Sequence, residues 1–263
     1  MKSAMGSEIT PLILSYNEES NIGRTLKSLQ WADRVVVLDS GSKDRTEEIA
    51  RSFPNVDWKT RKFDSFKVQT EYGIHSTGIN TNYVLALDAD MVVSKGLTSE
   101  IAERFMHREF AGGLVPFKYC VGGHPLSNSL YPSQIRLFER NRIEVLQVGH
   151  GHNFQIDGPI YQFKSEILHD DRKPIDRWVS SQLSYSAIEA ERIKVGFPPR
   201  WHDKLRQFGL MPPVIAVLAY IRAGGPLGGT AAIRYAYERA LYECLLAIRL
   251  TSERLGGESD SQE

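Results

Sequence analysis

Three short apolar runs, each stopping at a polar cluster, constrain this chain more than any other feature. Residues 10–16 read TPLILSY and halt at Asn17-Glu18-Glu19. Residues 34–40 read RVVVLDS, and residues 83–90 read YVLALDAD. Unbroken apolar runs of this length suit parallel strands that are covered on both faces. Between the first two runs, Ile22, Leu26 and Leu29 recur at helical spacing. After the second, Asp44 precedes Glu47 at capping-box spacing, and Ile49 and Phe53 continue an apolar face. Strand, helix, strand, helix in short cycles predicts an α/β fold built on a mainly parallel sheet. A weaker strand is expected over residues 56–62, with helices over 66–76 and 94–107.

From residue 111 to 163 the chain becomes strand-like and glycine-punctuated, which predicts short, partly antiparallel strands and long loops. Helical periodicity returns over 177–193 and is strongest over 230–250. There Ile233, Tyr237, Leu241, Cys244, Leu245 and Ile248 form one stripe. The 263 residues carry 32 basic and 32 acidic side chains. With no net charge there is no global basic field to attract nucleic acid. Cys120 and Cys244 stand in neither a metal nor a redox spacing, which fits a reducing, cytoplasmic compartment. Residues 1–8 do not read as a signal peptide. No run approaches the ~18 apolar residues of a membrane span.

In an open parallel sheet, ligands bind outside the carboxyl ends of the strands. Three such ends carry polar groups here: residues 15–19, 39–44 and 88–90. Asp44 is sufficiently explained as a helix cap. Asp39 follows an apolar run and precedes a glycine turn, and reads as functional. Asp88 and Asp90 do so more strongly. At the end of a strand, residues two apart point the same way, and their carboxylates repel unless a cation or a donor lies between. Magnesium-like cations typically bind through one or two carboxylates plus substrate phosphates. A departing diphosphate needs that neutralisation.

The segments LILSYNEESNIGRTLKSL, ADRVVVLDSGSKDRTEEIA and YVLALDADM resemble family 2 glycosyltransferases of the GT-A fold. FDSFKVQTEYG, Gly149-His150, HDDRKPIDRW and YSAIEAE resemble a bacterial branch that makes lipopolysaccharide cores and other surface polysaccharides. The likeness extends over most of residues 9–250. It implies transfer, with inversion, from a nucleoside-diphosphate sugar, typically a UDP-sugar, to a glycan or lipid-linked acceptor. It implies a nucleoside site of Tyr16, Glu18, Asp39 and Gln69. Asp88 would reach the ribose or the metal. Asp90 would bind a divalent ion, Mn²⁺ or Mg²⁺, with His169 as a further contact. Arg172 and Lys173 would face the diphosphate, and Asp170 or Asp171 would be the catalytic base.

By itself HDDRK reads as a solvated charged turn, and the resemblance is what makes it a site. His150 and His152 stand two apart, without the companions of a zinc site, and are assigned to the acceptor. Val148, Gly151-His152-Asn153 and Met91 depart from the branch pattern. The expected organisation is a catalytic domain over 1–195, donor-binding over 9–110 and acceptor-facing over 111–195. A helical region follows over 196–255, with a disordered tail over 256–263. The apolar segment 208–221 and the arginines of the last helix suit either packing on the catalytic domain or a peripheral membrane contact. Two other readings are a sugar nucleotidyltransferase and a non-catalytic glycan- or protein-binding module. The former lacks its glycine-rich loop after the first strand, since residues 16–19 are acidic; the latter would not need both Asp88 and Asp90.

Overall fold

The computed structural model describes residues 4–148, 151–196, 200 and 202–259. The chain divides into two compact units, residues 1–123 with 131–172, and residues 124–130 with 173–263. The first unit therefore ends at Arg172, short of residue 195, and the helix over 175–195 belongs to the second.

The first unit is built on a seven-stranded sheet. A short helix α1 (Ala4–Glu8) leads into β1 (Ile9–Ser15), and α2 (Ile22–Ser28) leads to β2 (Val35–Asp39). Next come α3 (Thr46–Arg51), β3 (Val56–Thr60), α4 (Phe66–Ser76) and β4 (Tyr83–Asp88). The strands β3, β2, β1 and β4 lie side by side and parallel. Strand Gln134–Glu139 then runs antiparallel to β4 and to β6 (Gly112–Val115), and Ile160–Gln162 closes the edge parallel to β6. Burial explains the unbroken apolar runs. Ile9, Ile13, Val35, Val37, Leu85 and Leu87 pack on one face with Ile22, Leu26 and Leu29. Leu12, Val36, Leu38, Val84 and Ala86 pack on the other with Ile74 and Phe138.

The third run ends earlier than its sequence suggests. β4 stops at Asp88, Ala89 and Asp90 form a turn, and the chain restarts as β5 (Met91–Val93). β5 pairs antiparallel with Ile167–His169, which pairs parallel with β7 (Phe117–Val121). Met91 is fully buried and its sulfur accepts the Asp88 N–H at 3.4 Å, which accounts for an apolar residue after the acids. The helix expected over 94–107 is α5 (Lys95–Glu100) followed by a π turn, Ile101–Phe105, with Met106 N–H donating to the Ile101 carbonyl. Asp44 acts one residue earlier than expected. It accepts from the Thr46 N–H and hydroxyl, while Arg45 holds the cap position of α3.

The second unit is helical: α6 (Ile175–Val195), α7 (Asp203–Gln207), α8 (Met211–Arg222), a 3₁₀ turn at Gly225–Gly228 and α9 (Gly229–Ser259). The last helix runs through residues 256–259, inside the expected disordered tail. A buried ion network joins α6, α7 and α9. Arg192 binds Glu189 and Asp203, and Arg206 binds Glu189 and Glu243. The stripe read from the sequence of α9 is not its packed face. Ile233, Tyr237, Leu241 and Ile248 are exposed, whereas Ala232, Tyr235, Ala236, Leu246 and Leu250 are buried. Small alanines let α8 and α9 approach closely, and Glu243 is buried in its pair with Arg206 of α7.

Candidate active site

The parallel register sets the first group of side chains. Ser15 lies opposite Asp39, and Leu14 opposite Asp88, so three strands end at one level. Asp39 is buried and its oxygens are filled from its own loop. Oδ1 accepts the N–H groups of Gly41 and Ser42 at 2.8 and 2.7 Å, and Oδ2 accepts the hydroxyls of Ser15 and Ser42. Gly41 has φ 93°, a left-handed conformation that suits glycine, and it turns the loop back onto the carboxylate.

The loops after β1 and β2 are laced together. Asn17 donates its N–H to Ser42 and accepts from Lys43 N–H at 2.7 Å, which holds its own strained φ of 53°. Glu18 N–H reaches the Thr46 hydroxyl at 2.6 Å. Tyr16, the first residue beyond β1, is left 51% exposed. Gln69 is buried, accepting from Arg61 at 2.6 Å and donating to Ser40 and the Arg61 carbonyl. Of the expected nucleoside group, Tyr16 is therefore open, while Asp39 and Gln69 are buried.

The two acids of the D-x-D motif part company because the turn breaks strand alternation. Asp88 faces Arg136 at 3.4 Å, a buried guanidinium that also binds Gln134 and lies over the Phe117 ring. Asp90 faces His169 Nε2 at 3.5 Å. His169 packs against both Tyr119 and Tyr131, with ring centroids 5.0 and 4.8 Å away, and its Nδ1 is buried without a hydrogen-bond partner. Burial pushes the Tyr131 phenol up to about 12, so it stays neutral beside the acids.

The HDDRK stretch folds onto the start of the chain rather than into solvent. Asp170 N–H donates to the Asp90 carbonyl at 3.0 Å. The Asp170 carboxylate is only 4% exposed and receives Arg24 at 2.6 Å, Arg172 at 2.8 Å and Gly123 N–H at 3.0 Å. Asn21 is the connecting residue. Its amide nitrogen donates to Glu18 at 2.8 Å and to Asp171 at 2.9 Å, and its oxygen accepts from Arg24 and Arg172 N–H. Glu18, Asp90, His169, Asp170, Asp171 and Arg172 are thereby one cluster, with Asp88 at the adjoining strand end.

Asp170 and Asp171 are not equivalent: the first is an ion-pair hub, the second is half-buried and bonded to a neutral amide. Asn21, Arg24 and Arg136 were not singled out from the sequence. The only local hint was that Asn21 and Arg24 stand three apart, which places them together on α2's first turn. His150 lies outside the described residues. The backbone of His152 is in strand Gly151–Ile156, paired with Ile143–Val148, a hairpin that packs Val145 and Phe154 against the α4 side of the sheet.

A half-parallel sheet in the order β3-β2-β1-β4, with an antiparallel neighbour and an acidic cluster at its carboxyl ends, has the GT-A fold of nucleotide-sugar enzymes. The chain belongs to glycosyl transferase family 2, whose model matches residues 12–157. It is a glycosyltransferase by that membership. It is 23% identical over 253 residues to "Lipopolysaccharide core biosynthesis glycosyltransferase LpsC" of Rhizobium meliloti (strain 1021), covering 92% of this chain and 91% of that one. Its fold is similar to S. aureus TarS 1-349 in complex with UDP-GlcNAc, with TM-score 0.51 and 15% identity over 95% of this chain and 92% of that one. Against S. aureus TarS the TM-score is 0.50 at 16% identity, over 92% of this chain and 55% of that one.

Proposed function

We propose that this glycosyltransferase moves a sugar, with inversion, from a UDP-sugar to a glycan or lipid-linked acceptor in cell-surface polysaccharide synthesis. The observation that carries the reading is the joining of Glu18, through Asn21, to Asp171 beside the Asp90–His169 pair. The names of the relatives support the setting: one is a lipopolysaccharide-core enzyme, and one neighbour holds UDP-GlcNAc.

In this reading Tyr16 and Glu18 receive the nucleoside, and Gln69 and Asp39 hold the wall behind it. A base N–H that reached Asp39 would displace one of the two serine hydroxyls now filling Oδ2. Among the described residues no group of three metal-type ligands forms. Asp90 and His169 nevertheless fit a divalent ion, since one carboxylate, one imidazole and the donor's own phosphates make an adequate set. Such an ion, Mn²⁺ or Mg²⁺, would neutralise charge on the departing diphosphate. Arg172, whose guanidinium is half exposed, is the protein's own cation for the same charge.

The acceptor hydroxyl oxygen attacks the anomeric carbon, the bond from that carbon to the diphosphate oxygen breaks, and Asp171 takes the hydroxyl proton. Asp171 suits this better than Asp170, whose carboxylate already receives two guanidinium groups. His150 and His152 remain the acceptor-side residues of this proposal. The enzyme would work in the cytoplasm, peripherally on the inner face of the cytoplasmic membrane.

The test is a hydrolysis screen of nucleotide sugars, with and without Mn²⁺, reading free nucleoside diphosphate. UDP release from a UDP-sugar that is lost in EDTA is the expected result. Turnover that prefers another nucleotide, or persists in EDTA, overturns the donor or metal assignment respectively.

A further inference from the structure

The second unit buries several charged side chains and leaves several large apolar ones exposed. Glu189, Arg192 and Glu243 are buried and paired, yet Val217, Leu218, Ile221 and Leu227 stand 60, 40, 63 and 98% exposed. On α8 these residues share the face of one helical period. On α9 the exposed Ile233 and Tyr237 share another, and Leu227 lies in the turn between the helices. An apolar surface of this kind marks an interaction site.

Charge says what covers it. Residues 204–252 contain six basic side chains and only two acids, Glu238 and Glu243. Glu243 is buried against Arg206, and Glu238, 8% exposed, pairs with Arg234 four residues before it. Arg222, next to Ile221 at the end of α8, and Lys204 on α7 stay exposed. The outer surface of this stretch is thus apolar and basic, although the whole chain is neutral. A second copy would match the apolar part of this face and supply no acidic group for its basic part. An anionic lipid surface satisfies both the apolar and the basic part.

We infer that the outer face of α8 and α9 docks on an anionic phospholipid bilayer without crossing it. No single helix among the described residues is long and apolar enough to span. At 12 residues α8 is about 18 Å long, well short of the ~30 Å hydrocarbon core. α8 and the helical stretch after it, residues 225–252, are bent by 73° from one another. This deepens the peripheral-membrane part of the proposed function and is independent of its donor chemistry.

The experiment is co-sedimentation of the full chain with vesicles of phosphatidylglycerol and phosphatidylethanolamine, against phosphatidylcholine alone. Donor hydrolysis in solution is followed separately, so loss of docking and loss of chemistry are told apart. Wild type is expected to pellet with the anionic vesicles and to be released by raised salt. Arg222→Gln is expected to weaken binding about fivefold. Val217→Glu with Ile221→Glu is expected to weaken it about tenfold or more, while circular dichroism and donor hydrolysis stay at wild-type values. Three results overturn the inference. One is no sedimentation of wild type. Another is equal, salt-insensitive binding to phosphatidylcholine. The third is a dimer in light scattering that Val217→Glu with Ile221→Glu dissociates without any vesicle binding.

Discussion

Arg24, on the first turn of α2, donates to Asp170 at 2.6 Å across 146 residues of chain. The same guanidinium reaches the Asp170 carbonyl and Asn21, so the helix after the first strand pins the HDDRK stretch in place. Arg24→Ala leaves Asp170 with Arg172 and the Gly123 N–H only. The expected cost is about 1–3 kcal/mol in urea unfolding, because a buried charge loses one partner and keeps two. A loss of donor turnover larger than the loss of folded protein is expected as well, since Asp171 follows Asp170 directly.

Asp171→Asn keeps the shape and the Asn21 contact but cannot accept a proton. A fall in kcat of about 10²–10⁴-fold with little change in donor affinity is expected. Asp170→Asn is expected instead to lower folded stability. If the two variants behave in the opposite way, the base is Asp170.

Asp90→Ala and His169→Ala remove the two metal-type ligands of the cluster. Each is expected to abolish metal-stimulated turnover and to cancel any rise in melting temperature that Mn²⁺ with UDP produces. A thermal shift that survives both substitutions places the ion elsewhere.

Asp39→Ala empties four hydrogen-bonding positions at once, from Ser15, Gly41 and both donors of Ser42. The loop after β2 loses its anchor, and each buried donor left unpaired costs about 1–3 kcal/mol. Calorimetric affinity for UDP is expected to fall, and Asp39→Asn to recover part of it by keeping the acceptor for the two N–H groups.

Acid is expected to unfold the helical unit through its ion network. Burial of Glu189 raises its pKa, but the hydrogen bond from Arg192 and the charges of Arg200, Arg192 and Arg206 outweigh it and hold the group below its ordinary value. Asp203 is also held low: burial opposes, and the Arg192 hydrogen bond and Arg200 N–H prevail. A carboxylate with a lower pKa folded than unfolded stabilises the fold above the unfolded value, about 4, and loses that contribution as pH falls through the folded value. Stability measured by denaturant is therefore expected to decline below about pH 4, and Glu189→Gln to flatten that decline.

The parallel strands, their acidic ends and the α/β class were legible because the signals are local. A strand covered on both faces must be apolar at every position, and the acids mark where cover ends. The resemblance of the same segments to family 2 agrees with the family model over residues 12–157. Tertiary structure decided the rest. The D-x-D acids read as one face of a strand, yet a turn after Asp88 sends one to Arg136 and the other to His169. Asn21 and Arg24 carry no mark of their partners, because what they bind lies about 150 residues away. The stripe on α9 has the right period, but periodicity defines a face without saying which way it turns. The buried Arg206–Glu243 pair lies on the other face of α9, and its two side chains, on α7 and α9, meet only once the chain has folded.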